Sequence, residues 1–274
     1  MKTKGFETRC VHGDYKAGSA QPQNLPIVQS TTYRYYNAKD VAELFDLDSP
    51  NHMYARLGSP TVDALEQKMA LLEYGTAGMA ASSGQSANLI SILNIAEAGD
   101  HILSGSNIYG GTYNLFDVTL RKLGIDVEFI DQDMSAEEIA AHAKPNTRAL
   151  FGETLGNPAL SVLDLEEFAK AAKLMGVPFI VDNTLATPAL CRPIEYGADI
   201  VTHSTTKFAD GHGTSIGGCV IESGKFDWTI KAADGSLKFP GMAGPDESYH
   251  GLNFYEKFGE TAFCTRLKAV LVRD

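Results

Sequence analysis

Lys207 and Asp182 are the two residues of this chain whose types and surroundings most invite chemistry. Asp182 ends the apolar run Phe179-Ile-Val, and Lys207 follows Ile200-Val-Thr-His-Ser204-Thr-Thr and precedes Phe-Ala-Asp-Gly-His-Gly. Both runs read as short buried strands. Each would deliver its polar residue just past a carboxyl end, where parallel sheets bind ligands. A lysine there can form a Schiff base with an aldehyde, and an aspartate can pair with a protonated pyridine nitrogen. Ser204 and Thr206 flank the lysine as hydrogen-bond donors suited to a phosphate. Taken singly, each residue has a plainer reading, as a solvated loop lysine and a turn-capping aspartate.

Two further segments favour the chemical reading. Ser82-Ser83-Gly84-Gln85-Ser86-Ala87-Asn88 sits between a strand-like and a helix-like run. Gly84 allows a close turn, and the N–H groups of Gly84 and Gln85 at a helix start would form an anion site. The second segment is a pair of loops after neighbouring strands. Tyr109, in Asn107-Ile-Tyr-Gly-Gly-Thr-Tyr113, can lie over a planar ring. Asn157, in Glu153-Thr-Leu-Gly-Asn-Pro, can donate its amide to a phenolate oxygen. Tyr109 as a core tyrosine and Asn157 as a turn residue before proline remain the commoner fates of such residues. Together, however, lysine, aspartate, phosphate donors and ring wall describe one ligand, pyridoxal 5′-phosphate.

The elements that must position these residues follow a regular order. Residues 1–58 are polar and rich in Gly, Pro, Asn and Tyr without a sustained period, and read as an N-terminal arm. Ser59-Pro60 looks like an N-cap and first helical position, opening a helix with Val62, Leu65, Met69 and Leu72 on one stripe and ending near Gly75. Strands are expected at 78–82, 101–104, 127–131, 149–153, 179–182, 200–204 and 218–222. Helices are expected at 86–97, 112–123, 135–143 and 165–175, the last closed by Gly176. This alternation implies an α/β fold, a mostly parallel sheet between helices. A Gly/Pro/Asp-rich segment from 235 to 251 precedes a final helix-like run from Tyr255 to Val272. The division expected is an arm at 1–58, a cofactor-binding α/β domain at 59–254, and the start of a linker helix at 255–274.

Composition narrows the class. The chain has 274 residues, 44% hydrophobic and 21% charged, enough for a full core. Its 23 basic and 34 acidic residues give a net charge of −11, which argues against nucleic acid and anionic membrane as partners. No apolar run approaches membrane-spanning length, and the first residues lack an apolar signal core. Cys10, Cys191, Cys219 and Cys264 are scattered without metal-like spacing, as expected of reduced thiols in a cytoplasmic protein.

These residues carry a specific resemblance. Asp182-Asn-Thr, Ser204-Thr-Thr-Lys207-Phe and Gly-His-Gly resemble the signature of the Cys/Met-metabolism family of pyridoxal-phosphate enzymes, within the aspartate-aminotransferase-like fold (fold type I). The likeness runs from Tyr33 to the end. Glu153-Thr-Leu-Gly-Asn-Pro and Phe239-Pro-Gly-Met…Pro245-Asp-Glu-Ser-Tyr-His-Gly bring it closest to the O-acetylhomoserine sulfhydrylase branch.

The resemblance implies roles residue by residue. Lys207 is the Schiff-base lysine and proton shuttle, Asp182 the partner of the ring nitrogen, Tyr109 the stacking ring, and Asn157 the donor to the phenolate oxygen; Lys207 and Tyr109 are the catalytic candidates. Ser83, Gly84, Gln85, Ser204 and Thr206 match phosphate-binding positions. Tyr54 and Arg56 match a pair that reaches the neighbouring subunit's phosphate, which implies a homo-oligomer, a tetramer by family. The implied reaction is γ-replacement on an amino acid, O-acetylhomoserine, by sulfide or a thiol. A cystathionine γ-synthase, a methionine or cystathionine γ-lyase, or a non-catalytic cofactor-binding fragment are the alternatives. Family members also carry a C-terminal domain, on the order of 100–150 residues as domains go, whose arginine grips the substrate carboxylate. None of Arg192, Arg266 or Arg273 fits that position, and the chain reads as stopping before that domain.

Overall fold

The computed structural model describes residues 4–13 and 15–271. Its strands are β1 (Ala77–Ala81), β2 (His101–Gly105), β3 (Asp126–Ile130), β4 (Thr147–Glu153), β5 (Phe179–Asp182), β6 (Ile200–Ser204) and β7 (Gly218–Glu222). They form one seven-stranded sheet in the order β1-β7-β6-β5-β4-β2-β3. β2 to β6 pair in parallel, and β7 runs antiparallel to both β6 and β1. The sheet is therefore largely parallel, as the alternation of strands and helices along the sequence implies.

Strand parity decides what faces the site. Ile180, Ile200 and Val220 pack with Phe116, Phe151 and Phe263 on one face. Their neighbours Val181, Val201 and Ile221 pack with Met69 and Phe168 on the other. Since successive side chains point to opposite faces, Asp182, Thr202 and Ser204 share the first face, and Asn183 and His203 the second. Helices α1 (Phe6–His12), α2 (Ala38–Phe45), α3 (Pro60–Glu73), α4 (Gly84–Leu93), α5 (Gly110–Asn114), α6 (Ala136–Ala141) and α7 (Leu165–Met175) precede β5 in the chain. α4 covers the first face through Ala87 and Ile92. α3 and α7 cover the second through Met69, Phe168 and Ala171.

Local signals explain most ends. Ser59 caps α3 by accepting the Val62 N–H, and Gly176 closes α7 in a left-handed turn at φ +61°. α4 starts two residues before the expected 86 because Ser83 accepts the Ser86 N–H and draws Gly84 and Gln85 into the first turn. The helix expected at 112–123 is a short α-helical turn, α5, that runs into a π-helix at Leu115–Leu120. Two expectations are corrected more substantially. Residues 1–58 are not wholly irregular, because α1 and α2 lie there. α1 is too short to show a period and is tied down by buried Arg9, which stacks on Tyr74 at 4.6 Å and donates to its hydroxyl at 3.0 Å. The run from 255 is not one helix: Gly259, at φ +52°, breaks it between helices at Phe254–Phe258 and Ala262–Arg266. Its last expected residue, Val272, and Arg273 lie outside the described residues. Among the described residues no helix is long and apolar enough to cross a membrane.

Glu222 joins this last segment to the sheet. Its two carboxyl oxygens accept the N–H groups of Phe263 at 3.1 Å and Cys264 at 3.0 Å. Burial pushes its carboxyl up to about 8 despite those two donors. A buried acid raised in this way stabilises the fold below the ordinary carboxylate range, and that contribution is lost as pH climbs through 8. We expect the wild-type melting temperature to fall by on the order of 5 °C between pH 6 and 9. Glu222→Gln should melt lower at pH 6, having lost one acceptor, but with a flatter pH profile. Thermal melts followed by circular dichroism check both, and parallel profiles would refute the assignment.

Candidate active site

At the carboxyl ends of β4, β5 and β6 lies a cleft of about 690 Å³. Lys207, on the exposed turn after β6, lines it together with Asp182. So do Ser83, Gly84, Gln85, Tyr109, Asn157, Ser204 and Thr206. The structure thus brings nine of the eleven expected residues into one place. Tyr54 and Arg56 are not among them: both are exposed, and the Arg56 guanidinium stacks on the Tyr54 ring at 4.9 Å. A second cleft of about 320 Å³ contains His52, Asp63 and Lys268. These polar side chains already pair with each other or with Glu66, at 2.7 Å for His52–Asp63 and 2.6 Å for Lys268–Glu66.

Asp182 is held by a network that strand parity makes possible. Asn88, buried in α4, donates to Oδ2 at 3.0 Å. The N–H and hydroxyl of Thr184 donate to Oδ1 at 3.0 and 2.5 Å. Both oxygens therefore act as acceptors, the hydrogen-bonding role of a carboxylate. Thr202 donates its hydroxyl to Asn88 Oδ1 at 2.5 Å, fixing which way the amide faces. The N–H of Ser204 donates to Thr184 Oγ1 at 2.8 Å. The ends of β5 and β6 are locked together through these side chains.

The N-terminus of α4 reaches the cleft by a close approach. The first N–H groups of a helix have no acceptor within it, which leaves those of Gly84 and Gln85 at the cleft. A Cβ at Gly84 would come within 2.5 Å of Ser204 Cβ, so only glycine lets α4 sit this near β6. Tyr109, about half exposed, caps α5, and a Cβ on Gly111 would strike its ring at 2.4 Å. Thr206 Oγ1 donates to Gly217 O at 3.3 Å and accepts that residue's N–H at 3.1 Å. Asn157 stands exposed at the rim.

Sequence reasoning missed four residues here: Asn88, Thr184, Thr202 and Glu153. Glu153 ends β4 directly opposite Asp182, is 5% exposed, and accepts the Tyr109 N–H at 2.5 Å. Burial, and then the Asp182 carboxylate, push its carboxyl up to about 8. A charged residue ending a buried apolar run was the available signal, the same one that drew attention to Asp182.

Comparison with known proteins agrees with this geometry. The sequence profile of the Cys/Met metabolism PLP-dependent enzymes matches residues 7–253. The O-acetyl-L-homoserine sulfhydrylase of Corynebacterium glutamicum is 46% identical over 271 residues, 98% of this chain and 62% of that protein. The O-acetyl-L-homoserine sulfhydrylase of Leptospira meyeri is 46% identical over 255 residues, 93% of this chain and 56% of that protein. The chain thus spans less than two thirds of either relative. A solved Campylobacter jejuni structure, assigned as an O-acetylhomoserine (thiol)-lyase, superposes with a TM-score of 0.92 at 34% identity. It is covered over 66% of its length by 99% of this chain, and it carries N′-pyridoxyl-lysine-5′-monophosphate.

The residues present fit such a cofactor. A primary amine, an acceptor-only carboxyl, an aromatic ring and a helix N-terminus ringed by hydroxyls converge on one cleft, and the close approach at Gly84 admits no side chain there. Gly84→Ala should push α4 away from β6. We expect a loss of about 1–3 kcal/mol in stability, as overpacking of this kind gives. Affinity for pyridoxal 5′-phosphate should fall by at least about tenfold. Melting curves and absorbance titration with the cofactor measure the two effects, and unchanged affinity would remove Gly84 from the expected phosphate contacts.

Proposed function

Since the chain belongs to the Cys/Met metabolism PLP-dependent enzymes, we propose that it is the cofactor-holding part of an O-acetylhomoserine sulfhydrylase. The reaction is γ-replacement, in which sulfide displaces acetate from O-acetyl-L-homoserine to give homocysteine. The observation that carries this choice is likeness to two O-acetyl-L-homoserine sulfhydrylases along almost the whole chain. In this reading residues 59–254 are the working α/β unit and 1–58 the arm.

Pyridoxal 5′-phosphate, when bound, supplies the electron sink that makes loss of the amino acid's Cα proton feasible. The chain's own groups do the rest. Lys207 Nζ would hold the cofactor at its carbonyl carbon and, as a free amine, would take the Cα proton. Asp182 keeps a proton at the ring nitrogen, and Asn88 and Thr184 keep Asp182 in place. Ser83, Gly84, Gln85, Ser204 and Thr206 hold the phosphate, Tyr109 covers the ring, and Asn157 donates to its phenolate oxygen. A γ-replacement would also need a Cβ proton removed before acetate leaves Cγ and, after sulfide adds there, both the Cβ and the Cα proton restored; Lys207 Nζ would carry them.

Tyr54 and Arg56, exposed and away from this cleft, serve a neighbouring subunit's phosphate, with guanidinium geometry suited to phosphate oxygens. The protein is on this reading a cytoplasmic homo-oligomer of at least two chains, a tetramer by family. Sedimentation of a monomer at working concentration would sink that part.

The chemistry is tested by adding pyridoxal 5′-phosphate to the protein and following the visible lysine-linked absorbance band. Lys207→Ala should abolish the band. With O-acetyl-L-homoserine and sulfide, homocysteine should accumulate. Release of 2-oxobutyrate without homocysteine would instead mark a γ-lyase, and no band in the wild type would overturn the cofactor assignment.

A further inference from the structure

Among the described residues, Glu153 is the one acidic residue lining the cleft that neither the proposed phosphate contacts nor the ring-nitrogen contact uses. Its place is fixed from both sides. It ends β4 in register with Asp182, on the same sheet face as Phe151. It is almost fully buried, and its Oε2 takes the backbone N–H of Tyr109 at 2.5 Å. That N–H belongs to the residue capping α5, so it has no acceptor within the helix. Tyr109 has no side-chain cap of its own and its ring is half exposed. Among the described residues the bond to Glu153 is the hydrogen bond made by the Tyr109 N–H, while the Ser106 N–H donates to Ile130 O at 2.9 Å and buried Ile108 fixes the start of the loop.

We propose that Glu153 is the positioning residue of the aromatic wall: its carboxyl, anchored at the end of β4, holds the Tyr109 backbone and through it the Tyr109 ring over the cleft. The role rests on reading the cleft as the cofactor site. Chemistry explains why an acid can stand there. Asp182 faces Glu153 from β5, and Lys207 lines the same cleft after β6. Burial and the Asp182 charge favour the protonated acid near neutral pH. Oε2 can then accept the N–H while Oε1 carries the proton, so the anchor adds no second negative charge beside Asp182. Glutamine has the same shape and the same acceptor, which makes it the conservative replacement.

Two measurements decide the matter. In the protein without cofactor, amide hydrogen exchange at Tyr109 should quicken by at least about tenfold in Glu153→Ala. In Glu153→Gln it should stay within about twofold of wild type. This readout does not involve the cofactor, so it stands even if the wild type proves not to bind one. The second is a double-mutant cycle on affinity for pyridoxal 5′-phosphate. Glu153→Ala and Tyr109→Ala should each weaken binding by about tenfold, and the double variant should be within about twofold of Tyr109→Ala alone. Unchanged Tyr109 exchange in Glu153→Ala overturns the proposal. So does additivity in the cycle, which would mean that Glu153 acts independently of the ring. Absence of binding in the wild type would instead defeat the cofactor reading and leave the exchange result to decide the anchor.

Discussion

The site depends on the amide of Asn88. It donates to Asp182 at the end of β5 and accepts from Thr202 near the end of β6. One planar group in α4 thereby fixes two strands at the point where they open into the cleft. Had α4 stood a little farther off, Asp182 would lose this donor and Thr202 its acceptor. Both groups are buried, so the penalty for leaving them unpaired is on the order of 1–3 kcal/mol each. The same spacing brings the N–H groups of Gly84 and Gln85 to the cleft, and it is set by the missing side chain at Gly84. The placement of Asp182 and the exposure of these N–H groups are thus two consequences of one helix-to-strand distance.

Parity on the strands separates this machinery from its support. Asp182 and Ser204 face α4, while Asn183 and His203 face α3. There Glu73 accepts from the Asn183 amide and pairs with His203, each at 2.7 Å. The two strands are consequently fastened on both faces by hydrogen bonds between buried side chains. A one-residue slip of either strand would exchange the two sets and place Asn183 or His203 in the cleft. Polar residues at consecutive positions on both strands make such a slip costly, because each has a partner on its own face only.

Much of this was legible in the sequence because the relevant signals are local. Strands β5, β6 and β7 each begin or centre on a short apolar run with a polar end, and α7 carries both its start and its terminal glycine. Ser83-Gly84-Gln85 was readable as an anion turn for the same reason. Asn88 and Thr202 were not, since each acquires meaning only from a partner far along the chain: 94 residues for Asn88 with Asp182, and 114 for Thr202 with Asn88. α1 escaped notice because a seven-residue helix shows no period and is held by a tertiary stack on Tyr74. The break at Gly259 was visible as a glycine, but a glycine inside a helical pattern is often tolerated.

An acidic chain proposed to hold a phosphate poses an electrostatic question. The net charge of −11 opposes approach of a phosphate from a distance. Salt reduces that opposition beyond about 8 Å, so the outcome is decided within the cleft. There the fixed positive end is the α4 N-terminus, and the fixed negative end is Asp182 at the foot of the cleft wall. A simple anion would meet the first but also the second. A ligand that carries a phosphate at one end and a protonatable ring nitrogen at the other matches both, and Lys207 lies on the same cleft to engage a carbonyl. Two fixed poles of opposite sign therefore favour a dipolar ligand over free phosphate. A second negative charge at Glu153, beside Asp182, would unbalance the negative pole; burial that keeps this carboxyl protonated near neutral pH preserves the match.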